Sequence, residues 1–259
     1  MSWEKESILV LVKAAPNWSN KYKKYEICTA GVSETDGWRR LYPFPESVVL
    51  KKNVRLWDII QVETMKPSDD PRFESRKIRN GSVKVIDRIE SKRERRKIIN
   101  SLVEPSLGNA LDKKRSLALI EPKIDGFRII KGEREPLQFT LNGKRFRRHP
   151  YGDVKLYYRW SCPKPCRYCR DKSHTSRCFD WGANYLFRRY KDEKEARIKV
   201  RNKLLFEMKY DNDTWFVLGT TRRRPWKKWM IVGLLWMKRK ETDSKTKSLE
   251  EFAESTKAC

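Results

Sequence analysis

Between Cys162 and Cys178 the chain reads CPKPCRYCRDKSHTSRC, which places four of its six cysteines and one of its two histidines within seventeen residues. Thiolates and imidazoles so spaced are metal ligands. Cys166, Cys169, His174 and Cys178 are separated by two, four and three residues, intervals that suit a tetrahedral structural site, and Zn2+ is the expected cofactor. Cys162 is a fifth candidate for four positions and either replaces one of the others or stands just outside the metal. A disulfide would need an oxidising compartment. Inert buried thiols would sit among apolar neighbours, whereas these lie among Lys164, Arg167, Arg170, Lys172 and Arg177. A catalytic zinc would need an open position and a carboxylate base nearby, and the only acid within the cluster is Asp171. The spacing approaches that of a zinc knuckle but has three residues rather than four before Cys178 and no internal glycine.

A second group of residues could bind phosphate and bases. In TTRRRPWKKW, Arg222, Arg223 and Arg224 are followed by Trp226, Lys227 and Lys228, more cationic residues than a hairpin connection needs. The turn GKRFRRHP adds Arg145, Arg147 and Arg148, with His149 beside them. In VKLYYRW, alternation puts Val154, Leu156, Tyr158 and Trp160 on one face and Lys155, Tyr157 and Arg159 on the other, so one face is core and the other cationic and aromatic. The 259 residues carry 60 Lys plus Arg against 34 Asp plus Glu, a net charge of +26. Solubility does not require that excess, and self-repulsion opposes folding, so a polyanionic partner is expected. RNA is favoured over DNA, in a ribosome-associated or other ribonucleoprotein setting. No apolar run approaches the roughly 20 residues that span a membrane, and no secretory signal is read at the N-terminus. A cytoplasmic protein with neither a membrane partner nor a small-molecule cofactor is expected. Only Gln61 and Gln138 are glutamines, a bias shared with thermophilic proteins.

An enzymatic reading rests on acids. Asp69 and Asp70 in one loop, with Glu121 and Lys123 further on, outline a metal-dependent nuclease, but Pro122 interrupts the second pair and the surroundings read as barrel. A non-enzymatic binder is therefore expected, with a nuclease or a general single-stranded DNA binder as alternatives.

The elements that must position these residues fall into two parts. Five short strands are predicted in residues 1–90: Ser7–Lys13, Tyr25–Val32, Trp38–Tyr42 (ended by Pro43 and Pro45), Trp57–Met65 and Ser82–Glu90. Residues 91–115 read as a helical connector, in which Ser91 can cap a helix that ends at Pro105. Within 116–240, strands are predicted at Ser116–Ile120, Phe127–Lys131, Leu137–Leu141, Val154–Trp160, Thr214–Thr220 and Met230–Trp236. Asp180 caps a helix running to about Tyr190, and Ala196, Val200, Leu204 and Met208 form the packing stripe of another over Lys194–Met208. Residues 241–259 are polar and expected to be disordered.

The segments SILVLVKAAPNWSNKY, WRRLYPFP, WDIIQVE, KPSDDPRFES, ERRKIINSLVEPSL, SLALIEPK, YYRWSC, DWGANYLFRRY and WFVLGTTRRRPWKKWMIVGLLW resemble a family of uncharacterised prokaryotic proteins described as containing dual OB domains. The resemblance covers roughly residues 7 to 237. It implies two nucleic-acid-binding-type barrels around a helical connector, with metal ligands before the DW segment, and no established reaction. The expectation is an α+β protein of two small OB-like β-barrels joined by helices, with a zinc-binding insertion in the second.

Overall fold

The computed structural model describes residues 2–19, 24–34, 37–45, 53–131, 154–166 and 173–239. The protein is mostly β. Five strands of the first half close into a barrel. β1 (Glu4–Lys13) pairs antiparallel with β3 (Lys24–Ser33) and with β5 (Asp58–Met65), and β3 pairs with β4 (Gly37–Pro45). A parallel pairing of β4 with β6 (Ser75–Ile78), and an antiparallel one of β6 with β5, complete the ring β1-β3-β4-β6-β5. Short β2 (Asn17–Ser19) extends β3, and β7 (Lys84–Arg88) lies against β5.

Alternation explains the barrel. Along β5, every other residue from Asp58 is buried, and Ile8, Val10, Ile27, Leu41, Phe44, Ile60 and Val62 fill the interior. β4 continues to Pro45 rather than ending at Tyr42. Pro43 is tolerated because it falls in the register shift between the Leu41↔Thr29 and Phe44↔Ile27 pairs, where no ladder donor is required.

Helix α1 (Lys92–Leu102) starts at Ser91, whose hydroxyl accepts the Glu94 amide, and α2 (Leu107–Asp112) starts at Ser106. Beyond them a six-stranded sheet runs in the order β8 (Leu117–Ile120), β12 (Asn212–Thr221), β13 (Arg224–Lys238), β11 (His174–Cys178), β10 (Val154–Ser161), β9 (Lys123–Lys131). Among the described residues its edges, β8 and β9, do not pair, so the expected second barrel is corrected to an open sheet.

The reason lies in what covers it. On one face, Phe127, Leu156, Tyr158, Trp160, Phe216 and Leu218 pack against α3 (Trp181–Leu186), α4 (Glu193–Arg201) and a π-helical segment, Asn202–Asp211. The expected stripe is the contact: Ala196, Val200, Leu204 and Met208 are all buried, each larger member contributing about 1.5–3 kcal/mol. On the other face, Leu117, Leu119, Trp215, Val217, Val232 and Leu235 form one core with Leu11, Val12, Ala30, Trp38 and Trp57 of the barrel. With layers on both sides, closure is not needed to bury β8, β12 and β13. Among the described residues, the barrel side chains in this core meet β8, β12 and β13. Across β11, β10 and β9 the same face carries Arg177, Tyr157 and Arg128.

Candidate metal centre and cationic sheet face

Sheet pairing builds the Cys/His group. Trp160 of β10 lies opposite His174 of β11, with ring centroids 4.4 Å apart. Cys162, two residues on, is thereby brought to the imidazole: its Sγ lies 3.5 Å from His174 Nε2. The ligand atoms of Cys162, Cys166 and His174 all fall within 4.8 Å of one another. Zn–S and Zn–N bonds of about 2.3 and 2.0 Å at tetrahedral angles would set neighbouring ligand atoms about 3.5 Å apart. The group can therefore hold a metal ion. Its surroundings suit a thiolate, since the Leu107 amide at the start of α2 donates to Cys162 Sγ at 3.3 Å. Lys164 N–H donates to the Pro105 carbonyl at 3.3 Å, which fixes the segment to the connector. Burial lowers the His174 pKa and favours the neutral imidazole that a metal requires.

Cys169 lies outside the described residues. Cys178 is placed apart from the group. It closes the strand that His174 opens, and four residues of extended chain put it about 13 Å away. It pairs with Leu156 and is 1% exposed within the core. Burial, with the Asp180 carboxylate adding to it, pushes its thiol well up, so it stays protonated. The sequence cluster spans two environments because His174–Cys178 forms a strand, β11, whose two ends lie apart.

The outward face of β9, β10 and β11 is the cationic counterpart. Register places Arg128, Tyr157 and Arg177 side by side on three adjacent strands, with Arg159 opposite Gly126 and Thr175, and Lys155 opposite Ile130. Arg128 and Arg159 are exposed, Tyr157 is half-buried, and the Arg177 guanidinium lies 4.4 Å from the Phe179 ring centroid. Tyr157 and Arg159 were legible in the sequence; Arg128 and Arg177 were not, because only register shows that they flank the tyrosine.

The basic segment after β12 is a tight hairpin, because strand pairing resumes at Arg224 opposite Thr221. Arg222 forms an ion pair with Asp69 at 2.9 Å, and the Trp226 indole donates to the Lys114 carbonyl at 2.9 Å. Arg223, Lys227 and Lys228 are exposed. Arg145, Arg147, Arg148 and His149 lie outside the described residues. Of the acids, Asp70 is held by Arg72 through three hydrogen bonds of 2.6–3.1 Å. Burial alone would raise its carboxyl, but the Arg72 hydrogen bonds and charge outweigh it and set the pKa at about 2. Glu121 is exposed in the link from β8 to β9, and none of these acids joins the Cys/His group among the described residues.

Fold and site together define a mostly β protein in which a closed barrel shares a core with an open sheet bearing a Cys/His group able to hold a metal ion. The chain belongs to the family described as Domain of unknown function (DUF8757), which matches residues 106–254. Residues 4–101 match a second family, Domain of unknown function (DUF8758). The two matches correspond to the barrel half and the open-sheet half. No curated protein matches the chain.

Proposed function

We propose that the protein binds single-stranded RNA across the open half of the second sheet, without catalysing a reaction, and that a structural Zn2+ at Cys162, Cys166 and His174 steadies the end of that sheet. The observation that carries this reading is the row Arg128, Tyr157, Arg177. A tyrosine flanked by guanidiniums on three strands offers a stacking surface between two phosphate partners. Arg159 and Lys155 extend the positive charge along β10, and the net charge of +26 supplies the long-range attraction. The ring order of the barrel, with its single parallel pair between β4 and β6, supports an OB-type reading of the first half and its kinship to the dual-OB proteins. The open second sheet confines that reading to the barrel. A ribonucleoprotein setting in the cytoplasm fits the charge.

The test is fluorescence anisotropy of a labelled 12-nucleotide RNA against the full chain over a salt series. Log affinity should fall linearly with log salt, at about 0.7 per phosphate contact. Replacing both Arg128 and Arg177 by alanine should reduce that slope by about 1.4. An unchanged slope would remove this face from the binding site. The matching DNA strand, lacking 2′-hydroxyls, should bind more weakly.

A further inference from the structure

Where β1, the turn at 53–57, α3 and β13 converge, barrel and sheet line a solvent-open pocket of about 420 Å3. Its walls come from both halves: Lys13 and Leu56 from the barrel, Trp181 and Tyr185 from α3, Leu234 and Trp236 from β13. Tyr185 is 54% exposed and Trp236 39%, so both rings are accessible to a ligand in the pocket. Three large aromatics beside one buried-stem lysine, at a junction of two folded parts, have the character of a preformed ligand pocket.

The walls are held at fixed separation. Asp180 accepts the Ala183 amide at 2.8 Å through Oδ1 and the Leu234 amide at 3.1 Å through Oδ2, which ties α3 to β13. Ala14 bridges to Asp180, and the Ala15 amide donates to the Phe179 carbonyl at 2.6 Å, which ties both to the barrel. On the barrel side the turn has left-handed backbone at Asn53 (φ 49°) and Trp57 (φ 72°), held by the Trp57 amide on the Val10 carbonyl and the Arg55 amide on Asp58. A bulky residue at positive φ persists only where its surroundings impose it.

Among the described residues Lys13 is the only cation in the lining, which also includes Asp180, whose carboxylate is committed to the Ala183 and Leu234 amides. The Lys13 Nζ lies 5.4 Å from the Trp181 ring centroid and donates one bond, at 2.8 Å, to the Val54 carbonyl. An ammonium has three donors. Burial lowers the Lys13 pKa against the opposing pull of Asp180 and Asp58, and an anion beside Nζ would relieve that cost.

We propose that this pocket is a nucleotide site, in which Trp181, Tyr185 and Trp236 pack on a base and Lys13 meets its phosphate. The nucleotide is either free or the end of a bound strand; the chemistry recognised is the same. The inference goes beyond the sheet face and does not rest on it.

Isothermal titration of the full chain with AMP, GMP, CMP and UMP, with inorganic phosphate and ribose 5-phosphate as base-free probes, tests it. Saturable binding of a monophosphate, weakened about tenfold or more by Tyr185→Ala or Trp236→Ala, and at least tenfold weaker binding of the base-free probes, is the expected result for a free nucleotide. Both variants alter exposed side chains, so folding should be retained, and circular dichroism verifies it. If the monophosphates do not bind but a 5′-phosphorylated RNA loses about tenfold in affinity in either variant, the occupant is a strand end. If no monophosphate binds, and RNA affinity is the same in wild type and both variants, the proposal is overturned. Equal binding of ribose 5-phosphate and AMP would also overturn it, since stacking would then contribute nothing. Neither negative result touches the sheet-face reading, which is judged by the salt slope of the Arg128 and Arg177 variant.

Discussion

The guanidinium of Arg72, in the barrel half, donates a 2.7 Å hydrogen bond to the backbone carbonyl of Thr220, in β12 of the second sheet. It does so while its other nitrogens hold Asp70. Two residues on, the Glu74 carboxylate accepts from the Ser116 amide and hydroxyl at 2.6 and 2.7 Å, and Arg40 donates to the Ser116 carbonyl at 3.0 Å. The apolar core shared by the two halves is therefore flanked by a polar seam in which charged side chains of one half satisfy backbone groups at the strand ends of the other. The segment KPSDDPRFES, which reads as an exposed loop in sequence, supplies most of that seam.

Arg72→Ala should destabilise the fold by about 3–5 kcal/mol, because Asp70 would be left unpaired with its side chain only 9% exposed. Urea unfolding measures this. The seam also sets a pH dependence. The folded pKa of Asp70, about 2, is below its ordinary value of 3.8, so its contribution is fully present above about pH 4 and is lost as pH falls toward 2. In Asp70→Asn, the loss of stability between pH 4 and 2 should be smaller than in the wild type.

Gly31→Ala should be more damaging than its size suggests. A methyl group built at Gly31 would stand 2.0 Å from the Leu9 carbonyl oxygen and 2.8 Å from its carbon, both backbone atoms of the neighbouring strand. Gly31 lies opposite Val10 beside the register shift in β1, so relief would require parting β1 from β3. The expected cost is about 3 kcal/mol or more, read as a fall in melting temperature. A variant as stable as the wild type would mean that β1 can shift without loss.

How much of this was legible in sequence depended on whether the signal was local. The strict alternation of β5 and β10 and the hydroxyl or carboxylate caps at Ser91 and Asp180 predicted elements that the structure contains. The second barrel was not there, and a signal against it was present. Leu117–Ile120 is buried at every position, as is Thr214–Thr220, whereas barrel strands that face solvent on one side alternate. Apolar residues on both faces demand a layer above and a layer below. The metal cluster misled for a related reason: ligand counting by spacing treats the chain as a loop, and an unnoticed strand over His174–Cys178 carries its last cysteine away. The seam pocket left no sequence signal at all, since Lys13, Trp181 and Trp236 are far apart in the chain and meet only through tertiary packing.

Metal analysis of protein purified without chelator should find about one zinc per chain. Cys162→Ala should lose the metal and lower the melting temperature, because Cys162 is both ligand candidate and acceptor for the α2 amide. Cys178→Ala should keep the metal and cost about 1–2 kcal/mol, the penalty for a small cavity in a packed core. Loss of zinc in Cys178→Ala would return that residue to the coordination sphere and require β11 to end before it.

The last prediction separates two cationic surfaces that sequence alone treats as equals. Arg222 is engaged by Asp69, and the Trp226 indole is committed to the Lys114 carbonyl, so the hairpin has less to offer a ligand than its composition suggests. Arg128 stands exposed beside Tyr157 on β9 and Arg159 stands exposed two residues along β10, and the strand register fixes their spacing. Tyr157→Ala should therefore weaken binding of single-stranded RNA by about 1–3 kcal/mol through lost stacking, with a salt slope close to that of the wild type because no charge is removed. Arg222→Ala should change RNA affinity by less than about 0.5 kcal/mol, the scale of an exposed ion pair. Anisotropy titrations of both variants decide between the surfaces. If Arg222→Ala costs more than Tyr157→Ala, the hairpin rather than the sheet is the RNA surface, and Asp69 would then have to release Arg222 on binding.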